Sequence, residues 1–404
     1  MLPANTAPEI SPEEYATFIA DTDEFGFDLF HELATSSENL FFSPLSVATG
    51  LALTYAGARG TTAAELEAVL HQTLPPETFH AGMNRLLLDL ESRNIAPSDS
   101  GGQSVELSLW PANAVWLQTG YPFESGYLAT VAASYGARVE SLDFAGQPDL
   151  ALRAINDWAS EQTNGRIPQL LGDINPRTRF VLTNALYFLG TWDQRFTEDD
   201  TSEGVFHNLA GTEITTPFMH ASWSYLDYAE GDGYQLLYLP YAGQQVRMAV
   251  LLPAAGRFAE IRDQVSTSWL EEAIGPARKE QVTADLALPR FQLAWGPTSV
   301  VDALQALGLA ETFTTDADLS GLSGEPGLHV YEVVHGAALE VDERGTRAVA
   351  VTSVGGCGNC VLDVEEPRRV TFTVDRPFIP LIVDSSGAVL FAGQVVTPPP
   401  DSAG

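Results

Sequence analysis

Glu343–Asn359 reads ERGTRAVAVTSVGGCGN, and Val333–Asp342 immediately before it reads VVHGAALEVD. Val333–Asp342 reads as a strand, and Glu343–Asn359 as the exposed loop into which it runs. The second is odd for a surface loop. Gly345 is the only glycine in its first eleven residues, and Thr, Ala and Val surround it, whereas exposed connections favour polar turn formers. Small and β-branched residues suit a pleated, half-buried surface. The stretch therefore reads as an exposed loop able to become a buried strand. Gly345 permits the bend that this requires, having no Cβ. Thr346, Ala348 and Ala350 alternate on one small face, fit for burial; Arg347, Val349 and Val351 form the other. Glycine and cysteine crowd the end of the loop.

Outward from this stretch, helical patterns gather in the first half of the chain and strands in the second, an α+β architecture in one large domain. Residues 1–12 read as a flexible leader. Ser11-Pro12-Glu13-Glu14 marks a helix start, running to about Leu33. A helical run from near Ser46 is expected to continue past Gly60 into TTAAELEAVL, with Thr62 and Glu65 as a capping box. A helix is expected near Thr78–Arg93, a polar turn at Asn94–Gln103, a strand at Val105–Leu117 and a helix at Ala151–Asn164. Phe180–Phe188 is an apolar run suited to a strand covered on both faces. Strands follow at Thr212–Phe218, Tyr225–Tyr228, Tyr234–Tyr238 and Val246–Leu252, then a helix at Ala259–Ala273. Val282–Leu293 is read as one strand and Ser299–Leu307 as a short helix. Thr371–Val374, Phe378–Asp384 and Val389–Val395 close the chain before a disordered tail.

The chain has 404 residues, 53 acidic against 20 basic, with Lys279 as its single lysine and a net charge of −33. Such a field repels nucleic acid and anionic membranes. It suits a high-salt environment, where screening removes self-repulsion; an acidic protein from a GC-rich genome is the plainer explanation. The first residues show no signal-peptide pattern, which points to the cytoplasm, or to secretion if the true start lies upstream. No apolar run reaches membrane-spanning length. Cys357 and Cys360 are the only cysteines, too few for a disulfide framework. No G-x-S-x-G, H-E-x-x-H, P-loop or dinucleotide motif occurs, so an enzyme is not expected. Nor is a cofactor or metal: two thiolates alone do not complete a tetrahedral zinc site.

Several segments, in this order, resemble the serpin family: NLFFSPLSVATGLALTYAGARGTTAAEL (Asn39–Leu66), INDWASEQTNGRIPQLL with FVLTNALYFLGTWDQRF (Ile155–Phe196), LPRFQL (Leu288–Leu293), LGLAETFTTDADLSGL (Leu307–Leu322), VHGAALEVDERGTRAVA (Val334–Ala350) and DRPFIPLIVDSSGAVLFAGQVVTP (Asp375–Pro398). The resemblance implies three β-sheets with eight or nine helices, a single domain over residues 13–397 and a reactive-centre loop at about 343–369, with 398–404 as tail. It implies a suicide-substrate inhibitor, monomeric, held in a covalent complex with a serine or cysteine protease. The cleaved loop enters the main sheet as a new strand and distorts the protease. A non-inhibitory member, serving binding, storage or chaperone roles, is the alternative.

The resemblance also assigns residues. Glu343, Gly345, Thr346, Arg347, Ala348, Val349 and Ala350 correspond to the hinge, though inhibitory members commonly carry glutamate where Arg347 stands. Ser43, Ser46, Asn184 and His335 match a polar cluster beneath the main sheet, called the shutter. Trp192 matches the tryptophan at the breach, where the loop first enters. Counting from Glu343 as in inhibitory members makes Asn359–Cys360 the scissile bond, with Leu362 as the alternative; the longer far side of the loop leaves the register open. Cys357 and Cys360 bracket that bond, and a disulfide between them would put the bait under redox control.

Overall fold

The computed structural model describes residues 4–35, 37–99, 104–163, 165, 167–274, 279–325, 327–346 and 366–398. The chain opens with helix α1 (Pro12–Leu33). Its capping box is complete: Ser11 Oγ accepts from the Glu14 N–H at 3.2 Å, and the Ser11 N–H donates to the Glu14 carboxylate at 2.9 Å, satisfying two otherwise orphaned donors. Then come β1 (Leu40–Phe42), α2 (Pro44–Tyr55), α3 (Gly60–Val69), α4 (Pro76–Ser92), β2 (Ile95–Asp99), β3 (Ser104–Gln118), α5 (Ser125–Tyr135), β4 (Arg138–Leu142), α6 (Pro148–Gln162) and β5 (Phe180–Thr191). The second half adds β6 (Thr201–His207), β7 (Glu213–Gly231), β8 (Tyr234–Pro240), β9 (Val246–Pro253), α7 (Phe258–Arg262), α8 (Thr267–Ile274), β10 (Glu280–Pro289), β11 (Phe291–Ser299), α9 (Val301–Leu307), β12 (Val334–Val341), β13 (Gly345–Thr346), β14 (Arg368–Thr373), β15 (Ile379–Asp384) and β16 (Val389–Gln394).

The architecture is α+β with three sheets. One is nine-stranded, in the order β1-β16-β15-β9-β8-β7-β10-β14 with β6 beside β7. The second, five-stranded, runs β13-β5-β3-β2 with β4 beside β3; β11 and β12 form the third. The main core joins the nine-stranded sheet to α1, α2 and α4 through residues such as Phe25, Phe30, Leu51, Phe372 and Phe391. A second cluster (Trp116, Phe144, Ile155, Trp158) fills the space between β3 and α6. Trp116 meets Trp158 edge to face, ring centroids 5.7 Å apart. β5 lies between both cores: Val181 packs toward the α6 side and Leu182 toward the main core. Its apolar run therefore has the physical cause expected of it, burial on two faces.

Several expected elements come out differently. The run from Ser46 is two helices, because the chain turns at Ala56–Arg59 to present Arg59 N to the Asp318 carbonyl at 2.8 Å. Thr62 and Glu65 are not a capping box. They lie inside α3, where Thr62 Oγ1 accepts from Asp318 N and the Glu65 carboxylate accepts from Glu311 N, both at 2.9 Å. Within Asn94–Gln103, β2 pairs with β3 rather than turning freely. The strands expected at Thr212–Phe218 and Tyr225–Tyr228 are one long β7. Ala259–Ala273 divides into α7 and α8, and Val282–Leu293 breaks at Arg290.

Candidate functional site

β12 ends in a tight turn. Asp342 and Gly345 exchange backbone hydrogen bonds at 3.0 and 3.2 Å, and the Asp342 carboxylate accepts from Arg344 N at 2.8 Å. The turn needs glycine at its last position. Gly345 has φ +129°, and a Cβ there would fall 2.3 Å from the Gly190 carbonyl oxygen. Beyond the turn the chain is already laddered: Gly345 pairs with Thr191 and Thr346 with Gly190, antiparallel on β5.

Glu343, within this turn, is only 4% exposed. A buried carboxylate must be paired. Arg290 supplies a fork, its Nε 2.7 and 2.9 Å from the two carboxylate oxygens, and Thr201 donates a further hydrogen bond. Burial works to raise the Glu343 pKa, but the hydrogen bonds from Arg290 and Thr201 outweigh it and hold it below its usual value. Arg290 stands between β10 and β11, so the break in the expected strand is what aims it at Glu343.

Trp192 closes the same corner. Its Nε1 donates to the Asp342 carbonyl at 3.1 Å, and its backbone N donates to the Arg344 carbonyl at 3.1 Å. Its ring stacks on Tyr241 at 4.5 Å and faces Trp223 at 6.4 Å. The Asp342–Gly345 turn is thus held by an ion pair on one side and by an aromatic wall on the other.

Past Thr346 no ladder joins β5 to β12 among the described residues: β5 pairs with β3 and β13, and β12 pairs with β11. A lane separates the two strands. At its far end lies a cavity of about 210 Å³ between Phe180–Asn184, Val333–His335 and the α2 residues Ser46, Gly50 and Leu51.

The N-terminus of α2 ties both sides of this lane. Ser43 Oγ accepts from Ser46 N at 3.1 Å, capping the helix, and donates to the Leu390 carbonyl at 2.7 Å. On the β12 side, Ser43 N donates to His335 Nε2 at 2.9 Å. On the β5 side, Ser46 Oγ donates to Asn184, whose amide donates to Asn113; Asn113 in turn donates to the Tyr135 carbonyl at 3.2 Å. Burial pushes the His335 pKa down to about 4. The ring is therefore neutral near pH 7, with Nε2 available as acceptor.

The structure brings Ser43, Ser46, Asn184 and His335 together under one lane, and Glu343, Gly345, Thr346 and Trp192 at its head. Arg347, Ala348, Val349, Ala350, Cys357, Asn359, Cys360 and Leu362 lie outside the described residues. Sequence reasoning missed Arg290, Thr201 and Asn113. For Arg290 a signal existed: a basic residue directly after Pro289, where a strand must break.

Comparison with known proteins agrees with this geometry. A family model described as serpin (serine protease inhibitor) matches residues 20–398. An uncharacterized serpin-like protein of Thermococcus kodakarensis is 37% identical over 377 residues, covering 93% of this chain and 84% of its own. The leukocyte elastase inhibitor of Homo sapiens is 33% identical over 386 residues, covering 93% and 97%. Among solved structures, a thermophilic serpin, tengpin, in its native state superimposes with a TM-score of 0.81 at 26% identity, covering 98% of this chain and 97% of that one. The matched residues, the three-sheet architecture and the glycine turn at the head of an unladdered lane lead to one conclusion: this chain belongs to the serpin family.

Proposed function

We propose that this serpin is a suicide-substrate inhibitor of serine or cysteine endopeptidases. It is no catalyst itself. The observation that carries the reading is the pair Gly345–Thr346, laddered on β5 at the head of a lane that no other described strand occupies. Residues after Thr346, once freed by cleavage, would extend this ladder along β5 and supply β12 with a partner. Each residue added would gain backbone hydrogen bonds and bury a small side chain, so release of strain drives the step.

In this reading the protease nucleophile attacks the Asn359 carbonyl, the Asn359–Cys360 amide breaks, and the new amine leaves with a proton. The acyl-enzyme ester or thioester stays on Asn359; Leu362 is the alternative acyl position. Trp192 and the Arg290–Glu343 pair guide the hinge, while Ser43, Ser46, Asn184 and His335 hold the lane and re-pair when it fills. A Cys357–Cys360 disulfide would bridge the scissile bond and keep both fragments joined, so reduction would permit trapping. The acidic surface is read as salt adaptation.

Purified protein is incubated with subtilisin, chymotrypsin, trypsin and an asparagine-specific protease in high salt, with and without thiol reductant. A denaturing gel and intact mass follow. The expected result is a covalent high-mass band with subtilisin or the asparagine-specific enzyme, stronger after reduction, and none with trypsin. Cleavage without any such band, and without a rise in thermal stability of the cleaved chain, would assign a binding or storage role instead. Equal trapping with and without reductant, in a sample shown to hold the disulfide, would remove the redox part alone.

A further inference from the structure

Tyr225 breaks two rules at once. Its φ is +63°, a left-handed conformation that a bulky side chain rarely adopts, and the residue is 57% exposed. Its neighbours show how this arises. Leu226 pairs with Val282 and Trp223 with Ala284, so Ser224 and Tyr225 together stand opposite Thr283. That is a β-bulge, which re-aims a side chain. Trp223 and Leu226 are buried at 4% and 2% exposure; the bulge alone sends Tyr225 outward. Strain kept in place by its surroundings directs attention to function.

The location is specific. On one side Trp223 touches Phe196 (4.5 Å) and Trp192 (6.4 Å), and Trp192 holds the Asp342 carbonyl where the loop departs. On the other side Leu226, Val282 and Arg368 line up across β7, β10 and β14, and Arg368 lies where the loop returns. With strands about 4.8 Å apart, Tyr225 stands roughly 10 Å from that return. It therefore sits on the platform between the two ends of the reactive loop. Four basic side chains here face carboxylates: Arg344 with Glu198, Arg368 with Glu280, Arg369 with Asp285 and Lys279 with Asp227. Asp199 and Asp200 add carboxylates beyond these pairs, and the whole chain carries −33.

We propose that Tyr225 is a docking residue for the protease engaged by the loop, its exposed ring receiving an Arg or Lys side chain from the basic rim of that protease's cleft. The ring face attracts a cation directly, and the acidic surface steers a cationic partner toward it. This rests on the reading of the loop as protease bait, and it adds a specificity determinant outside the loop.

The test uses the full chain and subtilisin whose nucleophilic serine is replaced by alanine, so that docking is measured without cleavage or trapping. Association rates are recorded at low and high salt for the wild type, Tyr225→Gly and Tyr225→Phe. A succinylated subtilisin, its lysines converted to carboxylates and its arginines also blocked with phenylglyoxal, is the control. Tyr225→Gly is expected to slow association about fivefold at low salt, while Tyr225→Phe stays within twofold of wild type and the difference vanishes with succinylated subtilisin. A Tm for Tyr225→Gly equal to or above wild type, from relief of the left-handed strain, supports a ring retained for docking. Equal association of Tyr225→Gly and wild type, or no measurable association of the wild type, overturns the proposal. Active subtilisin run in parallel reads trapping independently: docking without a covalent band sinks the inhibitory reading and leaves Tyr225 standing.

Discussion

At the scale of the residue, two positions in the hinge turn carry opposite kinds of constraint. Gly345 is fixed by space and by φ. Gly345→Ala would force a Cβ against the Gly190 carbonyl and is expected to cost about 1–3 kcal/mol locally. Because the clash lies in the first laddered pair, more of the variant should be consumed as plain substrate; the ratio of cleaved to covalent product on a gel checks this. Glu343 is fixed by charge. Glu343→Gln leaves Arg290 with half a partner, and since Arg290 is about a third exposed, the expected loss is nearer 1–2 kcal/mol than the larger figure for fully buried pairs, read from urea denaturation. His335 gives a pH dependence with a definite sign. Its folded pKa of about 4 lies below the ordinary value of 6.5, so its contribution is complete above pH 6.5. It is lost as pH falls from there toward 4, up to about 3 kcal/mol for a fully buried group. His335→Gln should flatten that part of the stability–pH curve relative to wild type, and parallel curves would show that His335 takes no part. Glycine at the turn was legible in the sequence because only one residue type fills that need. Arg290 had a local signal in Pro289, but its pairing with Glu343 was not legible, since that partner lies 53 positions away and pairing at that distance is set by the fold.

At the scale of the element, the lane between β5 and β12 is the feature from which behaviour follows. A strand added there would gain a ladder on both edges. Cleavage of the loop in the wild type is therefore expected to raise Tm by well over 10 °C, measured by calorimetry before and after proteolysis; an unchanged Tm would mean that the freed strand does not enter. α2 controls the same lane from beneath. Ser43→Ala removes the helix cap and the Leu390 hydrogen bond together, a loss of about 1–2 kcal/mol. The long strands and amphipathic helices were legible from their periodicity, and the covering of β5 on both faces from its largely apolar run, which Thr183 and Asn184 interrupt. The boundaries that failed share one cause. α2 and α3 part at Ala56–Arg59, and α7 and α8 part at Asp263–Ser266, because the chain must turn there to pack on a neighbour, and local propensity does not encode the neighbour.

At the scale of the whole molecule, charge and topology set different things. With a net charge of −33, self-repulsion opposes the compact state and salt relieves it. Tm should climb as sodium chloride is raised from about 0.05 M toward molar concentrations, and a flat or falling curve would remove the case for salt adaptation. The sequence by itself determined the family, the α+β class, the need for glycine at position 345, the residues of the polar cluster and the acidic charge, because motif order, periodicity and charge are properties of the chain read in one dimension. Only the tertiary structure decided that Gly345 and Thr346 already ladder on β5, that Arg290 clasps Glu343, and that a bulge turns Tyr225 outward between the ends of the loop. Those features depend on strand register and on which distant segments meet, and both are fixed by packing of the entire chain.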